Sequence, residues 1–358
     1  MLYGLPLPPS QVQRLALLGR RLGAGSISVL IDHADQIIHL RGFRDVAGFG
    51  VGIFVKVDVG YHRAGLPVNS REAAELPRLI LGHEEHKANH KLLGFYSHAG
   101  NSYGGGSSIA AMELLVQEIE GLSSAANTAV CIAKEIGNEG SLHTRFVLSV
   151  GATPTATSVE NLLHDHPRPE IRDQTIKLRN AITNASKSYR VELHAGVYPV
   201  LDLQQLATKA SPSPQSHGMP LDLTYSDIAL TILAEVISLY SHREPSEALI
   251  AAGSIALGRE PCKSYSGWGL VSALDTTSNS FDASDWIVGR ISQEHGILQR
   301  VSPLSKGDEL SVGQKVRIWP NHACIAGAGF AYYFIVDLSL PDGRKDEVID
   351  VWVRCRGW

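Results

Sequence analysis

Short β-branched runs alternating with helical stripes are the feature of this chain that most restricts its fold. The clearest run is 52–59, Gly-Ile-Phe-Val-Lys-Val-Asp-Val. It suits a parallel strand covered on both faces, with the charges of Lys56 and Asp58 emerging at its C-terminal mouth. Further strand readings fall at 1–6, 27–31, 92–97, 145–150 and 190–197, and helical readings at 8–22, 34–40, 70–90, 108–136, 157–164 and 171–186. Strand followed by helix, repeated, requires right-handed crossovers and predicts a β/α barrel or a doubly wound sheet. Both architectures place their chemistry just past the C-terminal ends of the strands.

Those ends carry glycine beside hydroxyl, imidazole and aromatic side chains. They read Gly60-Tyr61-His62-Arg63-Ala64-Gly65, His98-Ala99-Gly100-Asn101-Ser102-Tyr103, Gly151-Ala152-Thr153-Pro154-Thr155 and His194-Ala195-Gly196-Val197-Tyr198. Convergent backbone N–H groups with no Cβ in the way are what an anion such as a phosphate requires. Each loop alone is also an ordinary turn; four in succession point to a binding mouth.

Between about 205 and 220 the chain becomes rich in Ser and Pro, as a surface loop or linker does. Beyond it the long helices stop, and strand-like segments follow at 229–237, 248–257, 268–271, 286–291, 315–319, 332–338 and 348–353. The expected organisation is therefore a β/α unit over 1–220 and a smaller all-β domain over 221–358. The second domain carries Pro320-Asn321-His322-Ala323-Cys324. If Trp319 ends a strand, the i and i+2 side chains share one face, so His322 and Cys324 can close on one cation. Neutral imidazole with thiolate favours zinc, and two protein ligands leave open positions, as a catalytic metal needs. An anion cradle on one domain and a metal on the other predict a site between them.

Composition removes several functions. A net charge of −4 without a basic block argues against nucleic-acid and anionic-membrane partners. No apolar run approaches the roughly 18 residues of a membrane span, and the first residues lack a signal-peptide pattern. Cys131, Cys262, Cys324 and Cys355 are scattered without paired spacing, so free thiols and a cytoplasmic location are expected.

Taken together and in order, Lys56-Val57-Asp58-Val59-Gly60-Tyr61-His62-Arg63-Ala64-Gly65, the 94–103 stretch Gly-Phe-Tyr-Ser-His-Ala-Gly-Asn-Ser-Tyr, Gly151–Thr155 in the reading above, His194 to Tyr198, Gln293-Glu294-His295-Gly296 and the Pro-Asn-His-Ala-Cys stretch resemble eukaryotic D-serine dehydratase. That family belongs with D-threonine aldolase to the alanine-racemase-like class of pyridoxal-phosphate enzymes. The resemblance spans essentially the whole chain. It implies an eight-stranded β/α barrel followed by a β-domain, pyridoxal 5'-phosphate and zinc as cofactors, a D-amino acid substrate and a homodimer. By position it places His98 against the cofactor ring, Arg63 near its phenolic oxygen and Tyr103 at the same mouth. Thr153, Gly196 and Val197 would hold the phosphate, with Tyr198 closing that side. His322 and Cys324 match the family's zinc ligands, and Cys324 stands where the aldolase branch tends toward a carboxylate.

The chain departs from the family in one respect. The family's Schiff-base lysine lies in an Arg-Pro-His-x-Lys-Thr-His-Lys type segment of the first barrel strand, which nothing in these 358 residues matches. Residue 1 corresponds to the second barrel strand, and Lys56 to a different lysine. Three readings follow: a lyase removing water from D-serine to give pyruvate and ammonia, a D-threonine aldolase or other D-3-hydroxy-amino-acid lyase, and a truncated or non-catalytic relative. On the residues alone, plainer roles also stand. His98 fits a core histidine, Arg63 an ion pair with Asp58, Tyr198 a packed turn, and His322 with Cys324 a polar turn before a half-buried thiol. His62 and His295 fit either the orientation of metal ligands or the surface.

Overall fold

Val51, Ile53, Val55 and Val57 occupy alternate positions of one strand and are all buried, as on a sheet face packed under helices. A computed structural model of the chain describes residues 1–82, 88–142, 145–216, 219–274, 286–301, 309–341 and 343–355. Residues 83–87 of the helix expected at 70–90, and 217–218 of the expected linker, lie outside these. Two compact units result, Met1–Ala195 and Gly196–Trp358.

The first unit runs β1 (Leu2–Pro6), α1 (Val12–Leu22), β2 (Ser28–Ile31), α2 (Leu40–Ala47), β3 (Val51–Asp58), β4 (Leu66–Pro67), α3 (Arg71–Gly82), β5 (His90–Tyr96), α4 (Ser108–Glu135), β6 (Val147–Val150), α5 (Thr153–Thr157), α6 (Pro169–Ser188) and β7 (Arg190–Leu193). Among the described residues its strands form one parallel sheet in the order β1-β2-β3-β5-β6-β7, with β4 added beside β3. The registers Ile31↔Val55, Val55↔Phe95 and Phe95↔Leu148 carry an apolar row across it. This is the β/α-barrel architecture expected. Its outer face packs on Leu15, Phe43, Ile80, Met112, Leu115 and Leu122 of the helices. Burying each such side chain contributes about 1.5–3 kcal/mol.

The opposite face holds Ser28, Phe54, Leu93, Val147 and Val191, which line a cavity of about 760 Å³ together with Met1, Arg145 and Arg190. Lys56 departs from its expected place: it is 6 % exposed, buried within the sheet rather than emerging at its mouth.

The second unit contains α7 (Leu203–Thr208), β8 (Ile232–Tyr240), β9 (Glu247–Ile250), α8 (Ser254–Leu257), β10 (Gly269–Ala273), β11 (Trp286–Ile291), β12 (Gly296–Arg300), β13 (Lys315–Pro320), α9 (Ala323–Ala328), β14 (Tyr332–Val336) and β15 (Val348–Val353). Six strands close into an antiparallel barrel in the order β10-β11-β12-β9-β8-β13, and β14 pairs with β15 separately. Val236, Ile250, Val271, Val288, Leu298, Val316 and Ile318 fill the barrel. The strand expected at 248–257 is split: β9 stops at Ile250, and α8 begins because Ser254 and Ile255 donate their N–H groups to the carbonyls of Ser292 and Gln293. Residue 220 falls inside this unit, whose second cluster joins Leu201 and Leu203 to Ile228, Cys262 and Trp319.

Candidate functional site

In the first unit the strand-end loops are shaped by three carboxylates. Asp58, at the end of β3, accepts hydrogen bonds from the backbone N–H of Gly60 (2.9 Å) and His62 (3.0 Å) and pairs with His62 Nδ1 at 2.8 Å. That commitment answers the alternative reading of Arg63: its guanidinium lies over the Tyr61 ring, 5.2 Å from the centroid. His62 is spent on Asp58 and its side chain is 81 % exposed. Asp32, just past β2, accepts from the Gly65 N–H at 3.1 Å and closes the same loop.

Glu118 is the third. It sits in the N-terminal half of α4, fully buried, a position where sequence reasoning sees an ordinary helical charge. Its Oε1 accepts from Ser97 Oγ (2.8 Å) and Gly151 N–H (3.1 Å), and Oε2 from Thr155 Oγ1 (3.1 Å). One carboxylate therefore ties together the ends of β5 and β6 and the start of α5. Burial pushes its pKa above the usual carboxylate range, against the hydrogen bonds that pull it down.

Tyr96, His194 and His98 stand as a column. The Tyr96 and His194 rings are 4.4 Å apart and 7° from parallel, and His98 continues the stack 6.2 Å from His194 at 12°. Lys56 Nζ lies 5.4 Å from the Tyr96 ring centroid. Burial first, then the positive charge of Arg63, lowers the Lys56 pKa to about 8. The same two causes, in that order, lower His98 to about 4, and burial lowers His194 to about 4, so both imidazoles are neutral near pH 7. His194 Nδ1 meets Ser149 Oγ at 3.1 Å, while its buried Nε2 has no hydrogen-bond partner among the described residues. Ser102 Oγ is likewise buried and unpartnered there. Thr153, 1 % exposed, opens α5, and Tyr103 is half-buried in the loop after β5. The structure thus gathers Arg63, His98, Tyr61, Tyr96 and His194 in direct ring and charge contacts.

In the second unit, β13 ends at Pro320 and α9 starts at Ala323, so His322 is the N-cap residue of a helix and Cys324 lies in its first turn. The two do not share the face of a strand as expected, because Asp202 draws the helix start inward: Oδ2 accepts the Ala323 N–H at 3.0 Å. Asn321 anchors the approach by donating to the carbonyls of Glu260 (2.8 Å) and Gly267 (2.9 Å) and accepting from Tyr265 OH. His322 Nδ1 is 2.6 Å from Gln204 Oε1. Cys324 is exposed; partial burial, then the Asp202 carboxylate, pushes its thiol up, while Arg354 pulls it down. Among the described residues no third His, Cys, Asp or Glu joins the pair in a metal-holding group.

Gly196 belongs to this cluster. A Cβ built on it would lie 3.2 Å from the Cys324 sulfur, so a residue expected at the phosphate side abuts one expected at the metal. Val197 beside it is buried, with its carbonyl accepting from Val200 (3.1 Å) and Leu201 (2.8 Å), and Tyr198 is exposed. His295 is exposed in the turn between β11 and β12. Gln204 and Asp202 escaped sequence reasoning; their partners lie more than a hundred residues away and leave no local signal.

The family described as "Putative serine dehydratase domain" matches residues 229–336. D-serine dehydratase of Schizosaccharomyces pombe is 36 % identical over 363 aligned residues, covering 100 % of this chain and 74 % of that protein. The Saccharomyces cerevisiae D-serine dehydratase is 32 % identical, covering 99 % of this chain and 74 % of its own. Among solved structures, D-threo-3-hydroxyaspartate dehydratase from Delftia sp. HT23 superposes with a TM-score of 0.70 at 24 % identity, over 100 % of this chain and 79 % of that one, and so shares the fold. A cysteine-to-alanine mutant of it is described in a metal-free form, and a second mutant replaces a histidine two positions before that cysteine. With full-length coverage at such identity, the chain belongs to the D-serine dehydratase family.

Proposed function

We propose that this protein is a pyridoxal 5'-phosphate- and zinc-dependent lyase that removes water from D-serine, giving pyruvate and ammonia. The observation that carries the reading is the abutment of Gly196 on Cys324, with His322 one residue from that sulfur's helix turn. With Gly196 in the phosphate cradle and His322 and Cys324 as metal donors, a small amino acid would reach both.

The residues present fit both groups. The neutral His98 ring heads a flat aromatic column against which a pyridine ring can lie, and Arg63 supplies a cation beside it. The orphaned His194 Nε2 and Ser102 Oγ are polar atoms that a ligand can satisfy. Thr153, Gly196 and Val197 would hold the phosphate, with Tyr103 and Tyr198 lining the rim. When bound, the cofactor delocalises charge from Cα and makes its proton acidic. Zinc on His322 and Cys324 would act as Lewis acid toward the β-hydroxyl, since hydroxide is otherwise a poor leaving group. The spacing of the mutated histidine and cysteine in the Delftia protein supports that pair. Asp202 and Asn321 hold the ligand segment rigid while Arg63 and His98 orient the ring.

The experiment is direct. The lyase reading predicts conversion of D-serine to pyruvate with pyridoxal phosphate and zinc supplied, read by coupling to lactate dehydrogenase; because these 358 residues hold no match to the family's Schiff-base lysine segment, turnover is expected only where such a lysine is supplied. EDTA should abolish turnover and zinc restore it. Glycine and acetaldehyde from D-threonine would establish the aldolase instead. No turnover and no visible absorbance band on adding pyridoxal phosphate would mark a non-catalytic relative. We also infer a cytoplasmic homodimer, supported by the resemblance and the four free thiols. Among the described residues no helix is long and apolar enough to cross a membrane. Sedimentation equilibrium tests the dimer.

A further inference from the structure

We propose that Gln204 is a positioning residue that selects which nitrogen of His322 meets the metal. This deepens the zinc reading above and rests on it.

Gln204 is 9 % exposed in the first turn of α7. Three contacts fix it. Its backbone N–H donates to the Asn321 carbonyl at 3.2 Å, its side-chain Nε2 donates to the Pro261 carbonyl at 2.7 Å, and its Oε1 lies 2.6 Å from His322 Nδ1. The Pro261 contact settles the amide orientation, because only the NH2 end can donate to a carbonyl. The end facing the imidazole is therefore the carbonyl oxygen, which only accepts. Nδ1 must carry the proton, and in the neutral ring the lone pair sits on Nε2. An imidazole with its Nδ1–H committed in this way is the form a metal takes through Nε2.

The support is itself held. Asp202, fully buried, accepts the Gln205 N–H through Oδ1 (2.9 Å) and the Ala323 N–H through Oδ2 (3.0 Å). It thereby locks the first turn of α7 to the peptide that follows His322. Ring, amide and helix turn move as one piece. The acceptor is an amide where a carboxylate would add negative charge, so Gln204 orients His322 without making it a stronger base.

The test uses the full 358-residue chain and zinc itself, in competition with a chromophoric chelator at pH 7.5. Gln204→Leu keeps the volume and removes the acceptor; it is expected to weaken zinc binding about 10- to 100-fold. Gln204→Glu keeps an acceptor toward Nδ1 but gives up the donation to the Pro261 carbonyl; it is expected to bind zinc more tightly than Gln204→Leu. Cobalt substitution gives a second readout, the ligand-field spectrum, expected to shift in Gln204→Leu and to be retained in Gln204→Glu. Rescue by Gln204→Glu distinguishes orientation from a packing role even if Gln204→Leu folds poorly. Two outcomes overturn the proposal alone: parental affinity in Gln204→Leu, or equal loss in both variants while His322→Ala abolishes binding. Zinc binding that His322→Ala does not weaken, or none by the parent chain, removes this proposal together with the zinc reading.

Discussion

Gly151 and Gly196 are glycines for different reasons, and the contrast separates folding from ligand binding. Gly151 has φ +135°, and a Cβ there would sit 2.4 Å from the His194 carbonyl oxygen. Both the backbone and the neighbour forbid a side chain. Gly151→Ala is expected to destabilise the protein by at least about 2 kcal/mol, seen as a lower urea midpoint at unchanged m-value. At Gly196 the obstacle is one sulfur at 3.2 Å. Gly196→Ala is therefore expected to change stability by less than about 1 kcal/mol while weakening zinc binding several-fold. A parental zinc affinity in that variant would remove Gly196 from the metal's surroundings. At this scale the sequence was partly legible. Glycines after strands announce themselves, but a column such as Tyr96, His194 and His98 assembles from two strands and has no linear spacing to read. Lys56 misled because a lysine near a strand end usually emerges, and here the pleat turns it inward.

At the scale of elements, α4 behaves as a strap. The buried Glu118 collects three donors from two strand ends and α5, so its removal strands groups that water cannot reach. Each orphaned donor costs about 1–3 kcal/mol, and Glu118→Ala is expected to lose about 3 kcal/mol or more. Glu118→Gln should cost under about 1 kcal/mol. Its carbonyl oxygen can still serve Ser97 and Gly151, and Thr155 Oγ1 can turn to accept from the new NH2, since it already lies 3.2 Å from the Ala152 carbonyl. Chemical denaturation of the pair decides the matter; equal losses would mean that the negative charge, not the bonding pattern, is needed. Helices and strands themselves were largely legible because their periodicities are local: β11 and β15 fall at the residues expected. β12 was not, because Gly296–Arg300 is short and follows a polar turn. Nor was the start of α9, since the carboxylate that draws it in lies 121 residues upstream.

For the whole molecule, the two units should respond to acid in different windows. His98 and His194 have folded pKa values near 4, below the free value of 6.5, so the unfolded chain takes up protons first as pH falls. Their stabilising neutrality is complete above about 6.5 and is lost between there and 4. Glu247 lies in the second unit. Burial alone would raise its pKa, but Gln299, Arg290 and Arg243, all bonded to its carboxylate, outweigh that and hold it near 2. A depressed carboxylate stabilises above its free value of 4.5, and that contribution fades from 4.5 toward 2. Calorimetric melting as a function of pH is therefore expected to show Tm falling already from pH 6.5, where exposed carboxylates are still ionised. His194→Asn should flatten the slope between 6.5 and 4 and leave the lower limb in place. Glu247→Gln should do the reverse, flattening only the limb below 4.5 at a lower overall Tm. A parental slope above pH 4.5 in His194→Asn would show that the column is not what couples the first unit to protons.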